Sequence, residues 1–276
     1  MNLGLVLALG AAAGYGAADF IGGLGSRRHS SWQIVLVGQT IGALAMLSAA
    51  LVVPGRPQAD DFAWAVLAGV GSATGGMCLF RGLARGNMSL VAPVSAVGAA
   101  TLPVIVGVAV GERPSWPAWV GMVVALPGIW LVSRESATGA ARSRRAILDG
   151  AVAGIGFGVL FIALAQISSD AGMLPLAANQ AVGGVLTIAV AGVIGQPWRP
   201  TRDVFGWGSA AGILGVAGTL TFTVATNLTG LGATSVLASL YPAVTVLLAA
   251  LVLGERLDTG QRVGIGICIV SVAALA

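Results

Sequence analysis

The stretch RPQADDFAW occupies residues 56–64, and RPTRDVFGW, with Arg, Pro, Asp, Phe and Trp in the same places, occupies residues 199–207. The two copies lie 143 residues apart in a chain of 276 residues. Three further matches keep the same order: GYGAADF (14–20) with GIGFGVL (154–160), LVGQTIGALAM (36–46) with AANQAVGGVLT (177–187), and VAVGER (108–113) with LVLGER (251–256). The offset stays between 140 and 144 residues, so these collinear matches indicate an internal duplication.

The composition predicts a membrane protein. Hydrophobic residues make up 57% of the chain, charged residues only 9%, and the mean hydropathy is +0.93. A soluble domain carries about 25% charged residues. Apolar stretches of about 20 residues recur along the whole chain, which indicates membrane helices rather than the alternating segments of a barrel. The N-terminal apolar run has no basic region before it, and we therefore interpret it as the first membrane helix.

Charged residues, Pro and Gly divide the chain into ten apolar segments. We predict them at 3–24, 33–53, 62–84, 89–110, 116–133, 147–169, 175–195, 205–228, 232–253 and 260–276. Each copy of the repeat then holds five helices, and because five is odd, the two copies enter the membrane from opposite sides. The predicted fold class is an all-α polytopic membrane protein, with ten transmembrane helices as a 5+5 inverted-topology repeat around a central cavity. The repeats cover residues 1–140 and 141–276 within one integral membrane domain.

The distribution of arginine predicts the orientation of the chain in the membrane. All 14 basic residues are Arg, and 12 of them follow odd-numbered segments, whereas only Arg56 and Arg113 follow even-numbered ones. The positive-inside rule places the odd loops in the cytoplasm and both termini outside it, in a multi-pass protein of the cytoplasmic membrane. The repeated phrase agrees, because its outer copy has net charge −1 and its inner copy +1. We therefore assign the basic charge to cytoplasmic loops and expect no nucleic-acid partner.

Two charged residues within predicted helices are candidates for the site. Asp19 and Arg81 are predicted to lie at similar depth in the membrane. Inserting an ionisable residue at the centre of a membrane helix costs about 2.5–3.5 kcal/mol of free energy, so such residues need a reason. They align with Val159 and Val224, so the scaffold does not require them. They could line the cavity, pairing with each other or with a zwitterionic substrate, and Asp19 is the candidate for proton coupling. The alternatives are a snorkelling Arg81 and a structural role for Asp19.

Neutral polar residues in the predicted helices supply further cavity candidates. These are Gln39, Gln166, Asn179, Gln180, Asn227, Tyr15 and Tyr241. Gln39 and Gln180 stand out because the repeat duplicates them, although hydrogen bonding between helices, worth about 0.6 kcal/mol, is an equal alternative. Pro93, Pro103 and Pro242 are hinge candidates, since proline can break a membrane helix and free backbone carbonyls.

The sequence contains no enzyme signature. We find no HExxH, nucleophile elbow or phosphate loop, and the two cysteines, Cys78 and Cys268, lie inside apolar runs. We therefore predict neither catalysis nor a cofactor or metal. Glu112 and Glu255, in the two GER turns, are predicted to be structural and to accept from N–H groups at helix ends or pair with the next Arg.

Several motifs resemble the EamA family of the drug/metabolite transporter superfamily. They are RGLARGNMSLVAPVSA (81–96), VAVGERPSW (108–116), LASLYPAVTVLLAALVLGERL (237–257) and the Gly-rich last helix. SLYP in the second half aligns with SAVG in the first half, so the two copies of helix four should differ. The resemblance implies a secondary active transporter that exports small metabolites, such as amino acids, by alternating access across a bilayer.

Alternative functions remain open at this stage. A drug or organic-cation exporter would need an accessible acid such as Asp19, and a lipid-linked sugar flippase would need a basic phosphate site such as Arg81. A channel or an intramembrane enzyme is a different class. We expect a small-molecule substrate and possible proton coupling, in a monomer or homodimer, because ten helices are enough to enclose a cavity in one chain.

Overall fold

The computed structural model describes residues 3–84, 88–133, 144–254 and 256–275, with side chains except at 80–84 and 88–90. All regular structure in these ranges is helical. The helices are α1 (Leu3–Ser26), α2 (Ser31–Ala50), α3 (Ala59–Ala84), α4 (Met88–Ala109), α5 (Trp116–Ser133), α6 (Arg144–Gln166), α7 (Leu174–Val193), α8 (Val204–Thr229), α9 (Leu231–Ala238), α10 (Tyr241–Leu253) and α11 (Thr259–Leu275). The proposed boundary between the repeats, near residue 140, lies outside the described residues and stays a prediction.

The all-helical prediction with ten apolar segments is confirmed. Nine segments in the described chain are long and apolar enough to cross a membrane, and α11 is a shorter apolar helix of 17 residues. The ninth segment is interrupted at Ser239 and Leu240, where α9 ends and α10 begins. Pro242, the second residue of α10, has no N–H to donate to the carbonyl four residues earlier, which accounts for the interruption.

The fourth helix of the first half differs as the sequence predicts. Helix α4 runs without a break from Met88 to Ala109, although Pro93 and Pro103 both lie inside it. The hinge role of these prolines stays a prediction, and the break in the second half gives Pro242 a position unlike theirs. The two copies of helix four are therefore not equivalent in structure.

Reciprocal glycine contacts correct the alignment of α1 with α6. A Cβ atom on Gly14 would lie 2.7 Å from the backbone nitrogen of Gly218, and one on Gly156 would lie 2.6 Å from that of Gly75. The offset between α3 and α8 is 143 residues, so Gly14 corresponds to Gly156, not to Gly154. GYGAADF (14–20) therefore matches GFGVLFI (156–162), and the counterpart of Asp19 is Phe161 rather than Val159.

The repeated phrase forms two equivalent contacts between the halves. In the first copy, the N–H of Arg56 donates to the carbonyl of Asp170 at 2.8 Å, and we call this contact the α2–α3 clasp. In the second copy, the Gln33 side chain donates to the carbonyl of Arg199, and the Ser30 hydroxyl donates to Pro197 at 2.9 Å. We call this contact the α7–α8 clasp. The duplicated phrase thus joins the two halves once at each end of the bundle.

The α2–α3 clasp contains a buried carboxylate that the other clasp lacks. Asp61 is only 2% exposed, and its two oxygens accept from the backbone N–H groups of Gln58 and Ser168, each at 2.8 Å. The residue at the same place in the second copy is Val204, which packs in an apolar cluster with Ile34 and Val37. The α2–α3 clasp therefore includes two charge-assisted hydrogen bonds at a position where the α7–α8 clasp has apolar packing.

Candidate functional site

A cavity of about 190 Å³ lies between the two halves of the bundle. Its walls come from α1, α2 and α3 of the first half and from α6, α7, α8 and α10 of the second. Glycines at several of these walls have no side chain to fill the space; Gly76 of α3 has nothing within 4 Å of where its Cβ would lie.

One part of the cavity wall is aromatic. The rings of Tyr15 and Phe161 lie 5.9 Å apart, and Phe161 stacks on the fully buried Phe222 at 4.6 Å. The Tyr15 hydroxyl donates to the hydroxyl oxygen of Thr219 at 3.3 Å. Phe157, the counterpart of Tyr15, also lines the cavity. These contacts fix the rings, so the cavity presents a rigid apolar surface.

The register of α1 and α6 explains why these rings meet at the cavity. The ring of Tyr15 covers Gly218, and the ring of Phe157 covers Gly75. A side chain at either glycine would collide with the ring. Each half therefore contributes one aromatic residue in the same way, and the apolar wall follows from the duplication.

The duplicated glutamines each pack against a glycine of the other helix: Gln39 of α2 against α7, and Gln180 of α7 against α2. A Cβ on Gly183 would lie 3.0 Å from the amide of Gln39, and one on Gly42 would lie 2.7 Å from the amide of Gln180. Gln39 also donates to the hydroxyl of Ser72 at 3.3 Å. The glycine three residues after each glutamine thus makes room for the glutamine of the other half, and both amides line the cavity.

Six of the predicted site residues come together here. The cavity is lined by Tyr15, Asp19, Gln39, Asn179, Gln180 and Tyr241. The side chain of Arg81 lies outside the described residues, so its predicted pairing with Asp19 stays a prediction. Asp19 is the only charged side chain among the described residues that line the cavity.

Two predicted cavity residues lie elsewhere. Gln166 is the exposed last residue of α6, and Asn227 is exposed near the end of α8. Neither lines the cavity. Polar residues near helix ends can reach the membrane surface, and these two need no cavity.

The sequence did not single out several residues that the structure places in or near the site. Phe157, Phe161, Ser72 and Thr219 line the cavity. The match of GYG with GFG was the signal for Phe157 and Phe161, and it was obscured by the neighbouring GIG. Two buried carboxylates, Asp61 and Asp149, were also missed because both lie near helix ends, where charge is expected to be solvated.

The predicted structural role of Glu112 agrees with its contacts. Its carboxylate accepts from the first two backbone N–H groups of α9, Leu231 at 2.5 Å and Gly232 at 3.0 Å. The helix N-terminus carries partial positive charge, which favours this arrangement. Glu255 lies outside the described residues. Within the described part of the chain, no group of three or more His, Cys, Asp or Glu side chains is placed to hold a metal ion.

Comparison with known proteins identifies relatives of both halves. The model of the EamA-like transporter family matches residues 2–134 and again residues 144–276. No protein with a curated description matches the chain. One solved structure, described only as "Crystal structure of protein", covers 98% of this chain and 95% of its own, with a TM-score of 0.77 and 16% identity. At that identity the likeness shows a shared fold alone.

Proposed function

Because this chain belongs to the EamA-like transporter family and is therefore a membrane transporter of the drug/metabolite type, we propose that it exports small metabolites of amino-acid size by alternating access. The observation that carries the proposal is the cavity between the two halves, lined by rigid aromatic rings and a few polar groups. Such a mixture is typical of small-molecule sites, where apolar walls hold the ligand and sparse polar groups orient it.

The size of the cavity favours a small solute over a lipid-linked sugar. Its volume is about 190 Å³, whereas pockets for drug-sized ligands measure about 300–1,000 Å³. An organic-cation exporter is the stronger alternative, because Asp19 lines the cavity.

The two clasps suggest how access alternates. Each copy of the repeated phrase holds the loop between the first two helices of the other half, at opposite ends of the bundle. Release of the α2–α3 clasp would open the cavity toward one face, and release of the α7–α8 clasp toward the other. In an inverted repeat, the expected mechanism of alternating access is that the two halves rock about a fixed central site.

The orientation is part of the proposal. The arginine distribution places the α7–α8 clasp in the cytoplasm and the α2–α3 clasp outside, in a multi-pass protein of the cytoplasmic membrane. A reporter that is active only in the cytoplasm, fused after the last residue, should be inactive. An active reporter would reverse the assignment of the two clasps.

Counterflow tests transport directly. Proteoliposomes loaded with an unlabelled solute should accumulate the labelled form transiently, with saturation, if the protein alternates between two faces. The panel would include amino acids, amines, organic cations and neutral polar metabolites, with protein-free liposomes as the control. Flux without saturation or counterflow would favour a channel, and no flux for any solute would contradict the proposal.

A further inference from the structure

The polar atoms that line the cavity have an excess of acceptors. Asn179 is only 2% exposed, and its Oδ1 has no hydrogen-bond partner among the described residues. The Oε1 of Gln39 is buried and likewise has no partner in the described part of the chain. Buried acceptors without donors are costly, about 1–3 kcal/mol each. Both atoms therefore point to a ligand that brings its own N–H groups.

The charge of the cavity points to a cation. Asp19 is the only charged side chain among the described lining residues. It lies four residues after Tyr15 in α1, on the same helix face, and lines the cavity together with Tyr241. A carboxylate in such apolar surroundings is stabilised by a positively charged partner that donates hydrogen bonds.

The aromatic wall limits what the rest of the ligand can be. Tyr15, Phe157 and Phe161 form an apolar surface beside the acceptors, and aromatic faces also attract cations. A carboxylate on the ligand would meet the carboxylate of Asp19, and like charges repel.

We propose that the substrate is a small primary amine with an apolar or aromatic body and no carboxylate, whose ammonium group is held by Asp19, Asn179 and Gln39. A primary ammonium has three N–H donors, which matches these three acceptors. A quaternary ammonium has none, and an amino acid adds a carboxylate that Asp19 would repel. The inference rests on the proposed transport function and narrows its substrate class.

Four matched compounds test the substrate class: phenethylamine, its N,N,N-trimethyl derivative, phenylalanine and 2-phenylethanol. Purified full-length protein in proteoliposomes should show saturable counterflow of phenethylamine, with at least about tenfold weaker competition by the other three. Equal or stronger competition by phenylalanine or by the trimethyl derivative would overturn the amine assignment. Counterflow of other solutes without any of phenethylamine would also overturn it while leaving the transport function intact.

Variants test the individual acceptors. Asp19→Asn should weaken phenethylamine binding about tenfold or more, and Asp19→Glu should restore part of it. Asn179→Asp keeps an acceptor and adds charge, so it should bind phenethylamine more tightly than Asn179→Leu does. Asp203→Asn removes an exposed carboxylate at the start of α8 and should change nothing.

Thermal stabilisation of the purified protein gives a second measurement that does not depend on transport. Phenethylamine should raise the melting temperature of the wild type and of Asp203→Asn, but not of Asp19→Asn. An equal rise in Asp19→Asn would overturn the role of that carboxylate. The proposal would be overturned if sodium chloride raised the melting temperature more than potassium chloride did and phenethylamine did not raise it. That result would show that the acceptors hold a metal cation instead.

Discussion

Replacing Asp61 by alanine should destabilise the protein far more than replacing its neighbour Asp60. Asp61 is 2% exposed and accepts two backbone N–H hydrogen bonds, each 2.8 Å long, one of them from Ser168 in the other half. Charge-assisted hydrogen bonds contribute about 1.5–3 kcal/mol each, partly offset by the cost of burying the carboxylate. We expect Asp61→Ala to lose about 2–4 kcal/mol, because two N–H groups remain without an acceptor.

The melting temperature of the purified protein measures this loss. At about 2–4 °C for each kcal/mol, the midpoint should fall by about 4–16 °C. Cys78 and Cys268 are both buried, so a dye that fluoresces on reaction with thiols reports unfolding. Asp60→Ala is the matched control, because Asp60 is an exposed carboxylate in the same first turn of α3.

Two results would refute the reasoning about the α2–α3 clasp. The first is an equal fall in the midpoint for Asp60→Ala and Asp61→Ala, which would mean that burial and the contact with Ser168 are unimportant. The second is a midpoint for Asp61→Ala within a degree or two of the wild type. If the alanine variant does not fold, Asp61→Asn keeps one acceptor and should lie between the alanine variant and the wild type.

Three further predictions follow from contacts between the halves. Gly156→Leu should abolish recovery of folded protein in size-exclusion chromatography, because its Cβ would lie 2.6 Å from the backbone of α3, whereas Gly206→Leu, with open space around it, should be recovered normally. Glu112→Ala should lower the melting midpoint by an amount equivalent to about 1–3 kcal/mol, while the exposed Arg113→Ala should not. Gly42→Val and Gly183→Val should reduce the initial rate of counterflow similarly, because each displaces the glutamine of the other half; a loss in only one would contradict their equivalence.

Most of the helix positions could be predicted from the sequence because each apolar run ends at Pro, Gly or charge. The second segment, for example, was expected at 33–53 and is found at Ser31–Ala50. The interruption just before Tyr241 could also be predicted, since Pro242 follows that residue directly. These features depend on local sequence, which a single chain displays in full.

The register between α1 and α6 could not be read with the same ease. The sequence GIGFG offers two glycine pairs spaced by one residue, and either can be placed on GYG. Only the packing decides, because the aromatic residue in the middle must cover a glycine of the neighbouring helix. The corrected register gives Asp19 a phenylalanine as its counterpart, so the carboxylate still occurs in one half only.

Only some of the residues that line the cavity could be predicted from the sequence, because side-chain positions also depend on packing between helices. Gln39 and Gln180, near the middle of their helices, line the cavity at the interface of the halves, and their duplication in the sequence marks equivalent positions. Their role in binding stays a prediction. Gln166 and Asn227 are exposed instead. Their exposure could not be predicted from the sequence, because the face of a helix that is buried depends on neighbours that are distant in sequence. Burial of Asp61 likewise results from a loop more than 100 residues away.

Access to Gly76 from both sides of the membrane tests the central claim most directly. Gly76 lines the cavity and has room for a side chain, so Gly76→Cys should fold normally. During transport, a membrane-impermeant thiol reagent should label this cysteine from either face and stop counterflow, whereas Gly206→Cys, exposed at the start of α8, should be labelled from one face without loss of transport. Labelling of Gly76→Cys from one face only, or without loss of counterflow, would contradict transport through this cavity.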